Sequence, residues 1–191
     1  MNKQRLERVL KKMEEKHLPQ IIITSTSSMF YLTGHWIEPR ERMMALLISQ
    51  DGSYTFFGNE IFGLENTPEL PIVTHKDGEN PVKDLAAALK PGVLGVDKFW
   101  MSKFLIGLQS ERPDVTTVEG SSPVDEVRQF KDAQEIEAMR FSSRMNDEVV
   151  MAAIANLKEG MTELEAASFI ASEYMKRGSS YVVEAPMACF G

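Results

Sequence analysis

The sequence predicts an α/β protein, a mixed β-sheet flanked by helices, followed by a mainly helical second segment. Three observations predict it. Strand-sized apolar runs alternate with amphipathic stretches of helical period over residues 1–121. Asp51-Gly52 separates two of those runs as a hairpin turn does, so the sheet is not wholly parallel. Beyond Gly120 the pattern turns helical, with Ser121-Ser122-Pro123 as a plausible boundary.

The elements follow in order. Leu6, Val9, Leu10 and Met13 share one face of a helix over residues 2–17, which Pro19 stops. Ile21–Ile23 is a continuous apolar run, as in a strand buried on both faces. Ser27–Leu32 is a short helix closed by Gly34. Met43–Ser49 and Tyr54–Phe57 form the hairpin, and Pro71–Thr74 is a further strand. Asn80 caps a helix over Val82–Leu89, with Pro81 at its first position. Val93–Val96 and Val115–Val118 are strands on either side of a helix over Lys103–Ser110.

In the second segment, Asp132 and Glu135 have the spacing of a helix start. Ile136, Met139, Met145, Val149, Ala153 and Leu157 make an apolar stripe that ends before Gly160. Thr162 and Glu165 open another helix, which Gly178 ends, and Tyr181–Glu184 begins a strand. The faces of these elements need a sheet to cover them, which predicts that the chain is part of something longer.

Composition narrows the function. Of 191 residues, 21 are Lys or Arg and 28 are Asp or Glu, a net charge of -7. That balance argues against nucleic acid as a partner, which demands a concentrated basic surface. Lys11, Lys12 and Lys16 are interleaved with Glu14 and Glu15 and read as a solvated helix face. No apolar run reaches transmembrane length, and the N-terminus is too charged for a signal peptide, so a cytoplasmic location without membrane contact is expected. A lone Cys189 forms no internal disulfide and reads as a small buried hydrophobe.

Six segments then resemble one family, in order along the chain. Met29-Phe30-Tyr31-Leu32-Thr33-Gly34 is similar to its "YLTG" helix end, and Glu41-Arg42-Met43 to its arginine step into a strand. Leu94-Gly95-Val96-Asp97 is similar to its "GvD" strand, and residues Val124 to Asp132 to its "vd.lR.iKd" linker. Glu135 to Arg140 and Lys158 to Glu163 match its "EI..mR" helix and "ikeGmTE" turn. The chain thus resembles the N-terminal half of an Xaa-Pro peptidase of the prolidase, aminopeptidase P and creatinase family.

The resemblance implies a creatinase-type N-terminal domain over residues 1–121. A truncated α+β pita-bread segment, the start of the catalytic domain, would occupy residues 122–191. It implies a homodimeric parent enzyme that hydrolyses the bond before proline in a dipeptide or peptide. Two divalent metal ions (Mn, Co or Zn) would serve it, with all their ligands beyond this chain. The chain alone is then expected to be inactive, with no catalytic residue and no metal ligand of its own. The alternatives are a non-catalytic creatinase-like protein-binding module and a fragment of a creatinase-type amidinohydrolase.

The residues agree with an absence of chemistry here. His17 reads as a surface residue at a helix end, His75 as a loop residue, and no histidine has helical metal spacing. Asp114 and Asp125 are spaced like the family's metal aspartates, but their context is wrong and no later His and Glu complete a set. One loop stands out. His35, Trp36, Glu38, Arg40 and Arg42 gather aromatic, acidic and basic groups between a helix end and a strand. By the resemblance, this loop lies over the partner subunit's active site. Arg40 or Arg42 would pair with a substrate carboxylate, while His35 or Glu38 shapes access.

Overall fold

A computed structural model describes residues 1–179 and 186–190; the strand expected at Tyr181–Glu184 lies outside the described residues. The chain divides into two compact units, Met1–Phe130 and Lys131–Gly191.

The first unit is a six-stranded mixed sheet between two helical layers. The strands are β1 (Gln20–Ile23), β2 (Met44–Ser49), β3 (Tyr54–Asn59), β4 (Ile72–His75), β5 (Gly92–Val96) and β6 (Val115–Glu119), in the order β4-β3-β2-β1-β5-β6. β1 runs antiparallel to β2, and β2 to β3, whereas the β1–β5, β3–β4 and β5–β6 pairs are parallel. The helices are α1 (Lys3–Glu15), α2 (Thr26–Thr33), α3 (Lys83–Ala88), α4 (Ser102–Glu111) and α5 (Ser122–Arg128).

Alternation along the strands explains the layers, because successive side chains point to opposite faces. Ile21, Ile23, Leu46 and Ile48 are buried together with Leu6, Val9 and Met13 of α1, Leu32 of α2 and Val124 of α5. Ile22, Leu47, Leu94 and Val96 are buried together with Leu85 of α3 and Phe104 and Leu108 of α4. β1 is therefore covered on both sides, which is why it reads as an unbroken apolar run. Each fully buried Ile or Leu contributes on the order of 2 kcal/mol.

Asp97, just past β5, ties the strand ends together. Its Oδ2 accepts from the Thr24 and Ser25 amides (3.0 and 2.9 Å) and the Ser25 hydroxyl (2.8 Å). Its Oδ1 accepts from the Phe99 amide (3.2 Å) and the Ser121 hydroxyl (3.4 Å). A buried carboxylate so surrounded fixes where β1 turns into α2.

Several sequence expectations shift. The expected domain boundary at 121/122 falls before α5, which the structure places in the first unit. α5 packs on α1 through Val124 and Val127. Glu126 of α5 also draws Lys12 (3.6 Å) and Lys16 (2.6 Å) into ion pairs, so the basic face of α1 is partly an inter-helix contact. α3 starts after Val82 rather than at Pro81, although the Asn80 side chain still accepts from the Val82 amide (3.2 Å). His75 is the last residue of β4 and buried, not a loop residue. His17 is exposed just after α1, as expected.

The second unit contains α6 (Ala133–Asn156) and α7 (Glu163–Lys176). Both open with a capping box, Asp132 with Glu135 and Thr162 with Glu165, in which side chain and backbone amide satisfy each other reciprocally. Of the predicted stripe, Val149 is fully buried, while Ile136, Met139 and Leu157 are exposed. Cys189, expected to be buried, is exposed.

Candidate functional site

The loop between α2 and β2 carries all five residues singled out from the sequence. Gly34 ends α2 in the left-handed conformation that glycine adopts without strain (φ 81°), and its amide donates to Phe30 O (2.8 Å). His35 follows, exposed, with its amide donating to Thr33 Oγ1 (3.1 Å). Trp36 is half-exposed. Its ring meets Phe30 edge-on at 5.8 Å, and its indole N–H donates to Glu38 Oε1 (3.3 Å). Ile37 is buried in the core, and its carbonyl accepts from Thr26 Oγ1 (2.7 Å). The loop is thus anchored midway, with Trp36 and Glu38 held outward.

The C-terminal half of the loop is held differently. Arg40 is exposed and lies at φ 51°, a left-handed conformation unusual for a residue with a Cβ. The Arg42 amide closes a turn onto Pro39 O (2.9 Å). The Arg42 guanidinium makes a two-pronged pair with Asp77, Nε to Oδ1 at 3.2 Å and Nη2 to Oδ2 at 2.9 Å. Its Nη1 donates to Glu41 Oε1 (2.6 Å). Lys103 of α4 donates through Nζ to the Glu41 carbonyl (2.9 Å).

Asp77 sits in the turn after β4, where parallel pairing places Asn59 opposite His75. Asn59 is buried. Its Nδ2 donates to Asp77 Oδ1 (2.8 Å), while its Oδ1 accepts from the Ile61 amide (3.0 Å). The Arg42 hydrogen bond holds the Asp77 carboxyl below the usual carboxylate range, and the same bond raises Arg42. Burial pushes the His75 imidazole below its ordinary value, against the nearby carboxylates of Glu79, Asp77 and Asp84. Arg42, Asn59, His75, Asp77 and Lys103 line an open cleft of about 330 Å³ at the foot of the loop.

The structure therefore separates the two arginines. Arg42 is engaged inside the first unit, whereas Arg40 is presented outward beside Trp36 and Glu38 on one loop. Asn59, Asp77 and Lys103 were not singled out from the sequence. Asp77 lies in Lys76-Asp77-Gly78-Glu79, which reads as an ordinary polar turn, and only the parallel β3–β4 pairing brings it to Arg42.

The likeness to known proteins bears on this arrangement. Residues 5–130 match the Creatinase/Prolidase N-terminal domain family. The chain belongs to that family. It is 28% identical to an uncharacterized peptidase of Staphylococcus haemolyticus and 29% identical to a putative dipeptidase of Bacillus subtilis. In each case 98% of this chain and 54% of the relative are covered. It therefore spans about half the length of the curated relatives it matches. Among solved structures, a dipeptidase from Pyrococcus horikoshii shares 26% identity at a TM-score of 0.84, covering 96% of this chain and 52% of that one. A prolidase from Thermococcus sibiricus shares the fold at a TM-score of 0.88 with 23% identity, covering 98% and 53%.

No grouping of three or more His, Cys, Asp or Glu side chains able to hold a metal ion occurs among the described residues. Asp114 pairs with Arg112 (2.8 Å), and Asp125 pairs with Lys98, so the two aspartates weighed from sequence serve separate ion pairs. No helix among the described residues is long and apolar enough to cross a membrane.

Proposed function

We propose that this chain is the N-terminal part of a cytoplasmic, metal-dependent Xaa-Pro dipeptidase that works as a homodimer. The match over residues 5–130 to the creatinase/prolidase N-terminal family carries the reading, supported by peptidase relatives of about twice the length. The first unit is non-catalytic. It contributes to dimerisation and offers the 35–42 loop to the partner subunit's substrate. There Arg40 is the exposed cation suited to the carboxylate of a dipeptide, and Trp36 and Glu38 border its approach. Proline, with no N–H and a fixed φ, makes a substrate that a dedicated site recognises. In this reading two divalent ions would be held by ligands outside residues 1–191 and would activate water for hydrolysis.

The test compares the whole gene product with residues 1–191 on Xaa-Pro dipeptides, with and without chelator. The whole protein is expected to be active and chelator-sensitive, and the 191-residue chain inactive. Arg40→Ala in the whole protein is expected to lower kcat/KM about tenfold, roughly 1.4 kcal/mol of transition-state binding. Absence of hydrolysis by the intact protein would replace this reading with a binding module.

A further inference from the structure

The loop at residues 35–42 has little backbone bonding of its own. Its middle is fixed by Ile37, buried and held through its carbonyl by Thr26. Its end closes a turn through the Arg42 amide on Pro39 O and is tied to the rest of the unit by side chains from elsewhere, Asp77 on Arg42 and Lys103 on the Glu41 carbonyl. Between these two anchors sits Arg40 at a positive φ, a conformation that persists only where its surroundings impose it. Asp77 is itself aimed. Asn59 donates to it from the end of β3, and the same Asn59 is locked by capping the short 3-10 turn at Glu60–Phe62. The chain of support runs from the sheet end to Asn59, to Asp77, to Arg42, and then to the bend at Arg40.

We infer that Asp77 is a positioning residue, whose two-pronged hold on Arg42 sets the bend at Arg40 and so the reach of Arg40 and Trp36 toward substrate. The substrate half of this statement rests on the proposed function; the hold on the loop does not. A planar guanidinium matches the carboxylate with two parallel N–H bonds, which fixes direction as well as distance. A lysine at position 42 would keep the charge and lose the direction.

The experiment uses the whole gene product and two variants, Asp77→Asn and Arg42→Lys. Wild-type hydrolysis of an Xaa-Pro dipeptide is measured first, and its absence would remove the proposed function without touching the clamp. Hydrogen exchange then reads the loop directly, through the Arg42 amide that is bonded to Pro39 O. In both variants exchange across residues 35–42 is expected to rise about tenfold, with β1, β2 and β5 unchanged. KM is expected to rise about tenfold with kcat nearly constant, because the loop meets substrate without touching the reacting bond. Unchanged exchange in both variants overturns the clamp. Faster exchange with unchanged KM overturns the positioning role. Should Asp77→Asn fail to fold, Arg42→Lys alone decides both points.

Discussion

At the end of β4, His75 is buried beside Asn59 on the neighbouring parallel strand, and burial holds its imidazole below the ordinary histidine value. In the unfolded chain it takes a proton near pH 6.5, while in the folded chain it stays neutral to lower pH. The unfolded state thus binds more protons in that window. The stability this group supplies is complete above about pH 6.5 and is lost as pH falls toward the folded value. Urea midpoints are expected to drop between pH 7.5 and pH 5.5, and His75→Gln should flatten that drop. An equal drop in the variant would exclude His75 as its source. The Asp77 and Glu126 carboxyls, held low by Arg42 and Lys16, begin to lose their contribution only as pH falls through the ordinary carboxylate range near about 4, below the pH 7.5–5.5 interval of this test. Little of this was legible residue by residue. Asp97 and Arg42 stand in recognisable motifs, but their partners lie 72 and 35 positions away. Only the strand order brings such pairs together.

Among the elements, the chain's passage from β6 into α5 depends on a backbone-to-backbone approach. A Cβ on Gly120 would sit 2.2 Å from Gly95 C and 2.5 Å from the Val96 amide nitrogen, and neither can move without breaking the β5–β6 pairing. Gly120→Ala is expected to cost roughly 3 kcal/mol or more, from the overpacking and the strand shift it forces. Gly107, inside α4, is the counter-case: its Cβ would meet only Val82 Cγ2 at 3.4 Å. There Gly→Ala should add up to about 1 kcal/mol through helix propensity. Thermal melts of the two variants, moving in opposite directions, check the argument. A neutral Gly120→Ala would mean the strands accommodate the methyl. Sequence pattern located every strand of the first unit, because each carries a short run of apolar or β-branched residues bounded by turn residues. It missed α5, where Ser121-Ser122-Pro123 reads as a break although Pro123 stands in the first turn of a helix, a position proline tolerates. That seven-residue helix is stabilised by α1, and no local pattern announces a contact so distant in sequence.

For the whole molecule, the decisive asymmetry is where the buried surface lies. Both hydrophobic clusters are built from residues at or before Val127. Among the described residues of Lys131–Gly191, the buried hydrophobics are Val149 and Ala166, while Phe141, Met151, Ile154 and Leu164 are largely exposed. Segments near 60 residues are marginal even with a full core. Residues 1–130 expressed alone are therefore expected to fold and to melt cooperatively within a few degrees of the 191-residue chain. Residues 131–191 alone should show no cooperative transition, because α6 and α7 cannot bury enough apolar area to offset the entropy of ordering them. Circular dichroism melts of the two fragments make the comparison. An unfolded 1–130 fragment would show that the two clusters do not suffice by themselves. A cooperative melt of 131–191 would show that the two capped helices hold together with far less burial than a domain usually requires. The expected result also fits the family match, which ends at residue 130, where the first compact unit ends.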